Sequence, residues 1–369
     1  MRLLDRLAYA GLLLLLVLAP LPLGSNREWS WSLVAASAGS LTVIWLFSRL
    51  TPAQPLNARL PKWVPLLFAA ACGWIVLQAV TWTPAAWHHP LWSMTADILH
   101  EELPGRVSLA AEDVWTALMR LLSYALVFVL ALQFGRNHKR AQAMFGWLTL
   151  AGLVYAVFGL AIYWGGYHPE WLFGDRVLAH DVRSSFINRN HFATWQGMTI
   201  LCAIAWFYHR MVKPEVKPYS VPMGRDDEVE AFILKAWKPL TALLLMVAAL
   251  ILTHSRGGFV ATLAGTVVLL SLLDRRGRKG KAKSRVLVVA ALVVAGISFF
   301  LTSEVLLDRI NRTDITTEER MAVYGTINRA VGDNPLLGFG YGTFADAFRL
   351  YDRNESAVHY DRAHNTWLE

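Results

Sequence analysis

Four short stretches hold the residues best suited to chemistry. ILTHSRGG at 251–258 sets Arg256 between two apolar runs, beside Gly257 and Gly258. A tight reversal between helices needs the glycines but not the arginine. NRNH at 188–191 holds Arg189, with Arg183 shortly before it. TTEERMAVYGTINRAVGDNP at 316–335 holds Arg320, and the terminal YDRAHNTWLE holds His364. Arginine binds phosphate oxygens through a planar fork of donors, where lysine acts as a mobile point charge. Histidine is the side chain that gives and takes protons near neutral pH. Together these types point to an anionic, phosphate-bearing ligand and a proton transfer. Each also has a structural alternative. Arg256 fits an interfacial cation, Arg183 and Arg189 fit either anion ligands or interfacial cations, and a lone histidine often serves packing.

The elements that carry these residues are apolar. Of the 369 residues, 55% are hydrophobic and only 17% are charged. Apolar runs recur with the length needed to cross a hydrocarbon core of about 30 Å. Nine helical spans are predicted, near 6–23, 31–50, 63–82, 113–134, 143–164, 192–211, 239–254, 259–274 and 286–302. The first is longer than a signal peptide needs and more spans follow, so it is read as retained. The fold class is therefore an all-α integral membrane protein of about nine transmembrane helices. A large, mainly helical outer segment follows the last span. Two domains result, 1–302 within the membrane and 303–369 outside it.

Basic residues orient the chain. With the N-terminus in the cytoplasm, 21 of the 35 lysines and arginines fall in inner loops, including all nine lysines. Every cation on the outer side is then an arginine. This follows the bias of lysine and arginine toward cytoplasmic loops. The net charge of +8 thus reflects topology, and nucleic acid is not expected as a partner. Cys72 and Cys202 both fall in predicted spans and imply no structural disulfide. Tryptophans 29, 31, 82, 87, 92, 164 and 171 lie at outer span ends, where an amphipathic ring is stable.

Within 316–335, Thr316 and Glu319 fit a capping box, and Gly332 with Pro335 would stop the helix. Arg320, Tyr324, Ile327 and Val331 share one stripe of that helix. A cation on an apolar stripe calls for an acid, a ligand or a snorkelling path. The following PLLGFGYGTF has no preceding strand, so it is a glycine-rich turn that lets backbone approach a ligand or a membrane helix. Asn190 is the expected N-cap of the sixth span. Arg120 lies inside the fourth span, where an ionisable group marks a functional site by default. His359, Asp361 and His364 lack the spacing of a metal set, and no metal or cofactor is expected.

The order of these motifs resembles the O-antigen ligase and O-antigen polymerase superfamily. A Ser-Arg-Gly turn joins adjacent spans, a large outer loop carries Arg-x3-aromatic and Asp-Asn-Pro-Leu-Leu-Gly-x-Gly, and His-Asn-x-x-Leu-Glu follows. LPLGSNREWSW after the first span is similar to that family's first outer turn. The matches are densest in 253–369. The resemblance implies a metal-independent membrane glycosyltransferase with a GT-C-like architecture. It would work on the periplasmic face of the bacterial inner membrane. The donor would be a glycan on undecaprenyl diphosphate, and the acceptor would be the lipid A core. Arg256 and Arg320 would bind the diphosphate, with Arg189 as a further ligand, and His364 would act on the acceptor hydroxyl; Arg120 joins the diphosphate ligands by its place inside a span rather than by the resemblance. The alternatives are an O-antigen or exopolysaccharide polymerase using the same donor, and a transporter without chemistry. Transporters gather polar residues near the midplane, whereas here only Arg120 lies within a span. The family usually continues past His-Asn-x-x-Leu-Glu into further spans, so this chain, ending at Glu369, is expected to be shortened.

Overall fold

A computed structural model describes residues 2–50, 60–166, 181–212, 225–276 and 323–352. Among them every regular element is helical and no strand occurs. The helices are α1 (Arg2–Leu18), α2 (Glu28–Ser48), α3 (Trp63–Ala79), α4 (Leu91–Leu99), α5 (Ala111–Gly135) and α6 (His138–Gly165). They continue with α7 (Arg189–Val212), α8 (Arg225–Leu252), α9 (Arg256–Arg276), α10 over 323–333 and α11 (Phe344–Tyr351). Eight of the nine predicted spans fall on helices, and the ninth, 286–302, lies outside the described residues. Among the described residues four helices, α2, α5, α6 and α9, are long and apolar enough to cross a membrane. The α3 helix and the Trp237–Leu252 stretch of α8 are apolar but shorter.

The chain divides into two compact units, Met1–Asn57 with Val127–Glu304, and Ala58–Leu126 with Val305–Glu369. In the first unit α6, α7 and α8 enclose a core that includes Tyr155, Phe192 and Met246. Asn137 starts α6 by accepting the backbone N–H groups of Lys139 and Arg140 at 3.1 and 3.2 Å. Gly166, left-handed at φ 58°, ends it. The second core of this unit joins α1 and α2 to the end of α5 through Leu12, Trp45, Leu130 and Phe134. At its edge Asp5 pairs with Arg49 at 3.8 Å and with Arg140.

Lipid is as apolar as leucine, so burial alone does not drive helices together in a bilayer, and close fit at small residues does. The seam between α7 and α9 follows that rule. A Cβ at Gly258 would stand 2.5 Å from the Ala193 Cβ, and one at Gly265 would stand 2.9 Å from Leu201. Between them Gly197 makes room for Thr262. Both series rise together along the chain, so α7 and α9 run parallel with their N-termini at the same end.

The second unit packs α3 on the first half of α5 through Ile75, Ala79, Val114 and Leu118. Val323 and Ile327 of α10 pack on Phe348 of α11. The buried face of α10 is Val323, Thr326, Ile327 and Ala330, whereas Val331 is half exposed. The predicted stripe through Tyr324 and Val331 is therefore rotated by about one residue. Its Arg320 and the capping pair Thr316 and Glu319 lie outside the described residues.

Candidate functional site

The first residues of α7 and α9 are arginines, Arg189 and Arg256. A helix N-terminus carries about half a positive charge from its unpaired N–H groups, so acids are favoured there and arginines are not. Neither helix has an acid in its first turn. The two termini lie side by side, because Gly258 packs against Ala193. The two helix N-termini, each headed by an arginine, are thus set at the same end, an arrangement that favours an anion.

One carboxylate stands within this cationic end. The side chain of Asp181 is 5% exposed. Its Oδ2 accepts from Arg189 Nη1 at 2.7 Å, and its Oδ1 meets His254 Nδ1 at 2.8 Å. Arg183 Nη2 is 3.6 Å from Oδ2. Burial alone would raise the Asp181 carboxyl. The hydrogen bond to His254 and the charge of Arg189 outweigh burial and hold it below the usual carboxylate range.

The local sequence explains how these groups are held. Arg183 donates to the Ile187 carbonyl at 3.2 Å and so closes its own loop. Ser184 Oγ donates to the Tyr155 carbonyl at 2.8 Å, and Ser185 Oγ to the Pro20 carbonyl at 2.7 Å. The Val182 N–H donates to the Leu252 carbonyl at 3.0 Å, tying the loop to the end of α8. In the turn between α8 and α9, Thr253 Oγ1 accepts the Ser255 N–H at 3.1 Å. Ser255 Oγ accepts the Gly258 N–H at 3.3 Å and caps α9. His254 takes a left-handed conformation at φ 52°, which for a residue other than glycine costs about 1–3 kcal/mol. Its bond to Asp181 helps offset that cost.

Of the residues expected to bind diphosphate, Arg189 and Arg256 come together at one end of the first unit. Arg256 is exposed, and no ion pair joins it to another described residue. Arg120 is half-buried in the half of α5 that belongs to the second unit. Arg320 and His364 lie outside the described residues, as do His359 and Asp361. Among the described residues no group of three or more His, Cys, Asp or Glu side chains is arranged to hold a metal ion.

Two corrections concern local detail. Asn188, not Asn190, caps α7, since Asn188 Oδ1 accepts the Asn190 N–H at 2.8 Å and its carbonyl accepts the Phe192 N–H. Of the two glycines after Arg256, only Gly258 is needed for a close approach, and Gly257 faces open space. Sequence reasoning passed over Asp181 and gave His254 no role. The available signal was weak, since Asp181 is one of three acids, with Glu170 and Asp175, in the segment before α7.

The second unit holds a cavity of about 350 Å³ between α3, α10, α11 and the glycine-rich turn. Trp74, Phe339 and Phe344 contribute aromatic walls. Gln78 Nε2 donates to the Leu337 carbonyl at 3.1 Å, and its Oε1 accepts the Tyr341 N–H at 3.0 Å. Gly340 (φ 109°) would place a Cβ 2.6 Å from Ser108, and Gly342 (φ 87°) one 2.7 Å from Ala117 of α5. The turn does bring backbone close to a helix, as expected from its glycines.

Residues 241–369 match the family model Wzy_C, O-Antigen ligase. This C-terminal third, which contains Arg256 and the α10–α11 region, is thus similar to the O-antigen ligase family. The members are membrane glycosyltransferase-like enzymes, and the match together with the apolar helices makes this a multi-pass membrane protein. No curated protein and no solved structure matches the chain significantly.

Proposed function

We propose that this chain is a ligase-like glycosyltransferase of the O-antigen ligase superfamily. It moves a glycan from undecaprenyl diphosphate to an acceptor hydroxyl, that of the lipid A core, at the periplasmic face of the inner membrane. The observation that carries the proposal is the pair of arginines heading the parallel helices α7 and α9, with Arg256 inside the family match.

The chemistry requires positive charge at one place. The bond between the sugar C1 and the phosphate oxygen breaks, and its electron pair stays with the diphosphate. A bond forms between C1 and the acceptor oxygen, whose proton must leave. Charge grows on the departing diphosphate, so donors fixed before reaction lower the barrier. Arg256 and Arg189 are those donors in this proposal. Arg320 and Arg120 are further ligands, and His364 takes the acceptor proton; Arg320 and His364 rest on the sequence motifs, and Arg120 on its place inside a span. Arginines supply the charge that a divalent ion supplies in other transferases, so transfer should proceed without metal. The proposed domains are a transmembrane region over residues 1–302 and an outer segment over 303–369.

Transfer from lipid-diphosphate glycan, measured with chelator and with lipid A core or a second lipid-linked glycan as acceptor, tests this. Product on lipid A core that is lost in Arg256→Ala and His364→Ala supports the ligase. Elongation of the lipid-linked glycan instead identifies a polymerase. Transfer that survives both substitutions overturns the site.

A further inference from the structure

Asp181 is a costly residue to bury at a site meant for an anion. A carboxylate competes with a phosphate for the same arginines, and its burial is unfavourable unless every oxygen is satisfied. Here both oxygens are satisfied, each by a different segment. Oδ2 takes Arg189 of α7, and Oδ1 takes His254 from the turn before α9. Asp181 itself sits in a loop pinned to α6 by Ser184 and to α8 by Val182. Three chain segments therefore meet at one carboxyl group.

We propose that Asp181 is the positioning residue of the diphosphate site, and that His254, held by it, is a further ligand of the diphosphate. The inference rests on the function proposed above. Asp181 takes one donor of Arg189, Nη1, and leaves the remaining N–H groups of that guanidinium for a ligand. It takes the Nδ1–H of His254, so Nε2, on the far side of the ring, is the nitrogen left, and it donates to a phosphate oxygen when the ring is the doubly protonated imidazolium. His254 stands two residues from Arg256 and shares the capped turn that starts α9. The carboxylate thus ties the turn carrying Arg256 to the helix carrying Arg189. Asp181, which pairs with His254, is also approached by Arg189 and by Arg183. Among these, the described contacts of His254 run to Asp181 alone. A group acting through others in this way changes ligand affinity by orientation, and a misplacement of about 1 Å costs roughly a hundredfold in well-tuned sites.

The test uses the full chain in detergent, with inorganic diphosphate as probe and glycan transfer as the second readout. Protection against thermal unfolding by diphosphate gives affinity, and donor KM and kcat are measured in parallel. Asp181→Asn keeps the shape but turns an amide N–H toward a donor. It should weaken diphosphate roughly tenfold or more and raise donor KM while kcat changes less. Asp181→Glu should recover some of the affinity. His254→Gln leaves the Asp181–Arg189 pair intact, so it should fold, and should weaken diphosphate by roughly threefold to tenfold. Equal diphosphate affinity in wild type, Asp181→Asn and His254→Gln overturns the inference. A lower melting temperature with unchanged affinity and KM also overturns it, since that is a structural role only. No protection of the wild type by diphosphate, with the protein folded, counts instead against the diphosphate site itself.

Discussion

The cationic end of the first unit and the cavity of the second use their polar groups in opposite ways. Around the cavity, polar groups are spent on the protein itself. Gln78 bonds the glycine-rich turn at both ends, Asn334 donates to the Gly338 carbonyl, and Thr343 bonds the Phe339 and Gly340 carbonyls. None of the residues lining it carries a charge. At the first unit's end, Asp181 is satisfied by Arg189 and His254, while Arg256 and the rest of Arg189 hold donors in reserve, joined by His254 Nε2 when the ring is doubly protonated. Internally paired groups make a rigid wall. Unspent donors beside two helix N-termini make a place for an anion.

Glycine also does different work in the two regions. In the first unit Gly258, Gly197 and Gly265 are helical and remove bulk where α7 meets α9. In the second, Gly338, Gly340 and Gly342 all have positive φ and shape a turn. Substitution should therefore act through packing in one region and through backbone strain in the other.

The largest expected effect is at the unspent donors. Arg256→Ala should lower glycan transfer by about 10²–10³-fold with the protein still folded. Arg256→Lys should restore only a fraction, because a point charge does not reproduce the fork. A loss of less than threefold for Arg256→Ala would remove the contrast between the two regions. Gly258→Leu drives a side chain into Ala193 and should destabilise by about 3 kcal/mol, read by thermal melting in detergent. Gln78→Leu strips two bonds from the turn and should cost about 1–2 kcal/mol. It should also raise hydrogen exchange over 334–343.

A smaller effect is expected on acidification. The Asp181 carboxyl is held below its usual range in the folded protein. Its contribution is fully present above the unfolded carboxylate value of about 3.9, and is lost as pH falls through the lower folded value. Wild type should lose stability below about pH 4 more steeply than Asp181→Asn, as followed by melting temperature against pH. The smallest effect belongs to Gly257→Ala, which meets open space and should change stability by no more than about 0.5 kcal/mol.

The apolar runs and their punctuation were legible in the residues. Period and length alone place α2, α5, α6 and α9 close to where they form, since a bilayer span must be helical and about 20 residues long. The Ser-Arg-Gly turn was legible too, because no turn needs an arginine. Single-residue detail was not. The cap of α7 sits at Asn188 rather than Asn190, since both are good caps and only the bonding chooses. The buried face of α10 is rotated because Phe348, from a separate helix, decides which side is covered.

Sequence by itself determined that the chain is helical and membrane-like, that arginines head two of its helices, and which family its last third matches. Those properties follow from local composition and spacing. Tertiary structure alone decided that α7 and α9 run parallel and bring Arg189 and Arg256 to one end. It also decided that Asp181 reaches His254 across 73 residues of chain. No periodicity encodes such a bond. It exists because the loop is fastened to Tyr155 and Leu252, which sets the carboxylate where its partners meet it.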